Sequence, residues 1–213
     1  MSEILFIPGC GTQTRKDYPK LVGALESRGH HIIPITMDWD VESDPRAWAD
    51  QVHSQLGDVP RIDIGIGHSY GSMTLLQVAS DWTQREKSLP SFPKLLFLGH
   101  SARYLDDQDA YPNVIREHAK DLNPLDRFPP AFEDLVIGPN VATIRMHLES
   151  EEVTVFVGEE EGRKSPPQRR RALSLSQLFE SQLVTIPGAP HDFDDTPLYV
   201  DEIMGKVDIY SGV

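Results

Sequence analysis

The chain has 213 residues, 39% of them hydrophobic and 25% charged, which is the composition of one globular domain able to bury a core and excludes a disordered chain. Its 33 acidic residues outnumber 20 Lys and Arg, and the resulting charge of -13 repels phosphate backbones and anionic lipid surfaces, so neither nucleic acid nor membrane is an expected partner. A single cysteine, Cys10, leaves no intramolecular disulfide framework and no multi-cysteine zinc site; with no targeting pattern at the start and no long apolar run, a cytoplasmic setting is expected.

Short apolar runs alternate with stretches of helical period, the pattern of a parallel sheet covered by helices on both faces. A first strand is predicted over 4–7. Tyr18, Leu21, Val22 and Leu25 then recur with helical spacing and end at Gly29, before a second strand over 31–36. Asp44 and Pro45 form a cap and first turn for a helix bearing Trp48, Val52 and Leu56, stopped by Gly57. A third strand over 62–66 leads into a stripe of Leu75, Val78, Ala79 and Trp82, and a fourth strand covers 95–98. The segment 101–152 breaks the rhythm with Pro112, Pro124, Pro129, Pro130 and Pro139, and reads as a lid or cap insertion with short helices in a single domain spanning 1–213. Strands over 153–157 and 183–186 follow, and Thr196 and Pro197 open a last helix with Val200, Ile203, Met204 and Val207 on its buried face. The charge runs Glu159 to Glu161 and Arg169 to Arg171 read as solvated surface, Glu161 excepted.

The sharpest signal is Gly67-His68-Ser69-Tyr70-Gly71, a G-x-S-x-G between a strand and a helix. A serine on such a turn sits in a strained backbone, and glycines two residues to either side let the chain pass without collision. The N–H of Tyr70 then lies at a helix N-terminus, where it can donate to a developing oxyanion. His68 is expected to point away from the serine. His100 and Ser101 repeat the His-Ser pair without the second glycine and read as the end of strand four.

With this elbow the sequence resembles the α/β-hydrolase superfamily, over most of the chain outside 101–152. Two more places carry the resemblance: the strand and loop Ile4-Leu5-Phe6-Ile7-Pro8-Gly9-Cys10-Gly11, and the loop Pro187-Gly188-Ala189-Pro190-His191-Asp192-Phe193 after the last strand. The resemblance implies a three-layer α/β/α sandwich whose six-stranded, mainly parallel sheet is ordered 2-1-3-4-5-6, lacking the family's leading hairpin. It implies that Ser69 is a nucleophile, that Cys10 N–H is the second oxyanion donor beside that of Tyr70, and that His191 is the general base. The acid falls in the loop after strand five; the family's spacing from Gly158 gives Glu161, with Glu159, Glu160, Asp106 and Asp107 as competitors.

A serine at the elbow points to acyl transfer. The expected function is a serine hydrolase of the esterase or thioesterase class acting on a small-molecule acyl ester or thioester, with no cofactor and no metal, its pocket shaped by Tyr104, Tyr111, Phe128 and Phe132. A lyase or carbon-carbon hydrolase using the same triad is an alternative, as is a ligand-binding module with residual activity. Two weaker readings are a thiol nucleophile at Cys10 and a metal site among His191, Asp192, Asp194 and Asp195, for which an exposed acidic loop is the simpler account. The glycine runs do not form a G-x-G-x-x-G, which argues against dinucleotide binding.

Overall fold

Alternation along the strands sets the layers. In β1 (Glu3–Ile7), Ile4 and Phe6 face one helical layer, while Leu5 and Ile7 face the other. The same division holds in β4 (Lys94–Leu98), with Leu96 and Leu98 on the first side and Leu95 and Phe97 on the second. Both faces are therefore buried, as a parallel sheet requires. The computed structural model describes residues 1–39, 45–57, 59, 61–84, 93–100, 149, 152–164 and 166–212.

With β2 (His31–Pro34), β3 (Ile64–His68), β5 (Val153–Gly158) and β6 (Gln182–Ile186), the six strands pair in parallel in the order β2-β1-β3-β4-β5-β6. The sheet is the one expected, and all its pairings are parallel. One layer holds α2 (Pro19–Ser27) and the helix at Pro197–Ser211; the other holds α3 (Pro45–Leu56), α4 (Tyr70–Gln84) and the helix at Pro166–Phe179. Two short helices complete the described set, α1 (Thr14–Asp17) and α5 (Glu159–Lys164), so that Pro166–Phe179 becomes α6 and Pro197–Ser211 becomes α7. Each fully buried Leu, Ile or Phe of the two cores stabilises the fold by roughly 1.5–3 kcal/mol.

Three departures from the sequence reading have local causes. The second strand stops at Pro34 instead of reaching Thr36, because the Thr36 N–H and carbonyl are both taken by the Gln55 side chain of α3, each at 2.8 Å. The third strand lies two residues later than expected, from Ile64 to His68 instead of 62–66, pairing along its whole length with β4, and α4 packs against the side of it where Gly65 and Gly67 have no side chains. In the run Arg169 to Arg171, read as solvated surface, Arg169 and Arg170 are exposed on α6, but Arg171 is buried, at 3% exposure. Asp44, the insertion 101–152 apart from Glu149 and Glu152, and its four aromatic candidates Tyr104, Tyr111, Phe128 and Phe132 lie outside the described residues, as do Asp106 and Asp107. Among the described residues no helix is long and apolar enough to cross a membrane.

Candidate active site

The candidate site lies beside the switch point of the sheet between β1 and β3, which carry their following helices to opposite faces, and the loops after β5 and β6 reach toward it. Ser69 occupies the turn from β3 into α4 with φ of 52°, a left-handed conformation that costs a non-glycine residue on the order of 1–3 kcal/mol. The turn is held from three sides. Ser69 N–H donates to the Leu98 carbonyl at 2.8 Å, and the Ser69 carbonyl accepts the N–H of Ser72 at 3.1 Å and its hydroxyl at 2.6 Å. A Cβ at Gly71 would collide with the carbonyl oxygens of Ile7 and Pro8, and one at Gly67 with the first turn of α4, so the two glycines are what allow helix, turn and neighbouring strand to close up.

Behind the elbow, Ser72 Oγ lies 2.6 Å from His100 Nδ1, and both residues are fully buried. Because the Ser72 proton goes to the Ser69 carbonyl, His100 donates from Nδ1. Burial, and then the Arg171 charge, bring its pKa down to about 3, so it is neutral at physiological pH. His100 is thus two residues beyond the end of β4, serving the turn instead of extending the strand.

Cys10 sits in a tight turn after β1 that is closed by Thr12, whose N–H and hydroxyl donate to the Gly9 carbonyl at 3.1 and 2.7 Å. Gly9 lies against the elbow: a Cβ placed on it would come within 3.4 Å of Ser69 Cβ. Tyr70 is the first residue of α4, and its ring stacks on Trp48 at 6.2 Å. The Cys10 and Tyr70 positions therefore flank Ser69 from the ends of β1 and α4.

On the other half of the sheet, the loop after β5 and the loop after β6 are joined through the Ala189 carbonyl, which accepts the N–H groups of Glu160 and Glu161 at 3.0 and 3.4 Å. Glu161 is buried at the start of α5, its Oε2 accepting the Gly158 N–H at 3.2 Å and its Oε1 lying 2.6 Å from His191 Nδ1. Burial works against a charge on His191. The Glu161 charge, its hydrogen bond and Asp192 outweigh that effect, and the imidazole pKa is raised above its ordinary value. Gly99, with φ of 52°, passes directly beneath this pair; a Cβ there would come to 3.0 Å from His191 Nδ1 and 3.2 Å from Glu161 Oε1. Gly99 follows Leu98, the residue bonded to Ser69 N–H, and the His68 ring lies 4.7 Å from that of His191, so His191 stands against both flanks of the elbow.

Of the competing carboxylates, Glu159 accepts the Gly188 N–H at 2.9 Å, and Glu160 pairs with Arg163 and Lys164 within its own helix. Asp194 is not an exposed loop residue. It is 8% exposed, and its two oxygens accept the N–H groups of Lys20 and Leu21 at 3.0 and 2.9 Å, capping α2 from across the chain. Tyr18, the residue at that cap, supplies no side-chain cap of its own, and nothing in the local sequence announces the long-range one. Asp195 is exposed and pairs with Lys20. Among the described residues no group of three His, Cys, Asp or Glu side chains could hold a metal ion.

Neither a protein-family model nor a curated protein sequence matches this chain. Solved structures do. A carboxylesterase of the ammonia-oxidizing thaumarchaeon Nitrososphaera gargenis is similar over 99% of this chain and 91% of its own, with 14% identity and a TM-score of 0.73. A bromoperoxidase from Bacillus anthracis matches 98% of this chain and 92% of its own at 10% identity and a TM-score of 0.65. A monoacylglycerol lipase from Paleococcus ferrophilus matches 98% and 92% at 15% identity and a TM-score of 0.58. Identities this low carry architecture alone, and with the observed sheet order they establish that the chain has the α/β-hydrolase fold.

Proposed function

We propose that the protein is a serine hydrolase cleaving a carboxylic ester or thioester of a small molecule, with Ser69, His191 and Glu161 as its triad and no metal or cofactor. The observation that carries the reading is the buried Glu161 carboxylate, 2.6 Å from His191 Nδ1. That bond fixes the tautomer, with the proton on Nδ1 and the lone pair on Nε2, and it stabilises the imidazolium formed later. In this mechanism Ser69 Oγ attacks the substrate carbonyl carbon while its proton passes to His191 Nε2. The oxyanion accepts the N–H groups of Cys10 and Tyr70; collapse expels the alcohol or thiol, which takes the proton from His191. Water then attacks acyl-Ser69, again losing its proton to Nε2, and the acid leaves as the proton returns to Ser69 Oγ.

The resemblance of the fold to a carboxylesterase and a lipase supports the reaction class. The test is covalent labelling by a fluorophosphonate, with the modified peptide located by mass spectrometry, alongside turnover of short-chain chromogenic esters. The parent protein should label on Ser69 and turn over; Ser69→Ala should do neither beyond the modest residue left by binding and the oxyanion donors. Undiminished turnover in Ser69→Ala, or loss of activity in EDTA that zinc restores, would exclude the mechanism. Acyl-enzyme capture with an ester substrate separates it from a lyase.

A further inference from the structure

Two buried polar side chains beside the site have no part in the chemistry just proposed. Tyr18, at the start of α2, is 3% exposed, and His68, the last residue of β3, is 2% exposed. Gly9 N–H donates to Tyr18 Oη at 3.0 Å, Tyr18 Oη lies 2.6 Å from His68 Nδ1, and His68 Nε2 lies 3.0 Å from the carbonyl oxygen of His191. The donors can be assigned. A carbonyl only accepts, so His68 carries a proton on Nε2. Burial, and then the neighbouring His191, hold the His68 pKa well below its ordinary value, which leaves Nδ1 as an acceptor for the Tyr18 hydroxyl. The bonds therefore run in one direction, from Gly9 through Tyr18 and His68 to His191.

Each end of this chain of bonds is a backbone group in a loop that the mechanism needs. Gly9 precedes Cys10 in the turn after β1, and His191 carries the base. Other bonds also hold each loop: Thr12, which lies 3.0 Å from Tyr18 Oη, closes the first on the Gly9 carbonyl, while Asp194 ties the second to α2 and the Ala189 carbonyl ties it to the start of α5; the bonds through Tyr18 and His68 run from the one loop to the other. We infer that Tyr18 and His68 are positioning residues that hold the oxyanion loop and the backbone of His191 in one register, so that donor and base meet the nucleophile together. The inference rests on the hydrolase reading for the roles of those two loops. A role limited to packing would depend on the Tyr18 ring, which lies 4.9 Å from Phe6 and 5.6 Å from Phe193, and not on its hydroxyl.

Tyr18→Phe separates the two, since it keeps the ring and removes the hydroxyl. His68→Gln retains a side-chain N–H able to reach the His191 carbonyl, and His68→Leu does not. In variants shown to be folded by circular dichroism, fluorophosphonate labelling and kcat should fall roughly 10- to 100-fold for Tyr18→Phe and for His68→Leu with KM little changed, because displaced catalytic groups lose rate before they lose binding. His68→Gln should recover part of the loss, and the double variant Tyr18→Phe/His68→Leu should be no slower than the worse single variant, as members of one chain of bonds are not additive.

A second measurement needs no turnover. The His191 imidazole, faced by Glu161, Asp192 and His68, is titrated by NMR, and its midpoint should move in Tyr18→Phe and His68→Leu as the ring shifts against Glu161. Parental labelling rates with an unmoved midpoint would overturn the inference, as would single-variant losses that simply multiply. A parent protein that does not label, combined with a midpoint that moves in Tyr18→Phe, would refute the hydrolase reading and leave the positioning role standing.

Discussion

The two halves of the site are held by different means. The Ser69 half is fastened mainly by backbone: a left-handed turn, carbonyls of Leu98, Ile7 and Pro8 pressed against it, and glycines where any side chain would collide, with the Ser72 and His100 side chains behind it. The His191 half relies more on polar side chains, with Glu161, His68 and Asp194 each gripping a loop that has little regular structure of its own, beside the backbone link through the Ala189 carbonyl. Backbone fastening couples the Ser69 half to the fold as a whole, whereas side-chain fastening lets the chemistry of the His191 half be changed with the fold intact. Their histidines differ accordingly. His68 and His100, buried under the elbow, are held neutral, while the pKa of His191, beside a carboxylate, is raised.

The largest expected effect breaks the Ser69 half. Gly71→Val puts side-chain atoms into the Ile7 and Pro8 carbonyls, and the overpacking, on the order of 1–3 kcal/mol or more, should appear as a loss of melting temperature and of soluble protein together with activity. Glu161→Gln tests the other half. It should lower kcat by roughly 10²-fold or more through loss of the tautomer anchor, yet leave the melting curve much less affected than Gly71→Val does. Equal collapse of stability in the two variants would erase the distinction drawn between the halves.

The pH dependence sharpens it. In the proposed mechanism His191 must be neutral to act as base; as its pKa is raised, kcat/KM should increase with pH around a midpoint above the ordinary ~6.5, and in Glu161→Gln that midpoint should move to lower pH as burial gains the upper hand. Stability responds in opposite senses. The raised His191 pKa contributes stability that is present below ~6.5 and is lost as pH climbs through the folded value. For His68 and His100 the folded pKa is depressed, so their contribution is full above ~6.5 and is lost as pH falls below it. Denaturant titrations of His100→Asn and of the parent at several acid pH values should show the acid-side loss to be smaller in the variant.

Smaller still is the expected effect of Asp194→Ala, which strips two N–H groups of α2 of their acceptor and should cost about 1–3 kcal/mol of stability, with activity reduced only as far as the His191 loop is displaced. A stability change below the error of the denaturation curves would show that solvent replaces the cap. The smallest effect is expected for Cys10→Ala, which should keep most activity because the group proposed to act is the backbone N–H; full inactivation of a folded Cys10→Ala would point to the thiol.

What was legible in the sequence was what rests on local spacing. Continuous apolar runs gave the six strands and helical spacing gave the four principal helical stripes, because a parallel sheet buried on both faces makes its strands apolar throughout while each covering helix buries one face with a period of 3.6. The G-x-S-x-G was equally plain, since the turn it makes is a matter of glycines two residues either side of one serine. The sheet order and the candidate acid Glu161 came from a family resemblance and not from the residues alone, and the structure places that carboxylate on His191. Tertiary structure alone decided the rest. Asp194 read as an acidic loop, and it caps a helix 173 residues away; Arg171 read as surface, and α6 buries it; Thr36 read as strand, and Gln55 removes it from the ladder. The link from Gly9 through Tyr18 and His68 to His191 belongs to the same class. A polar side chain can be satisfied by any partner the fold brings within about 3 Å, so its role is set by long-range geometry that leaves no period in the sequence.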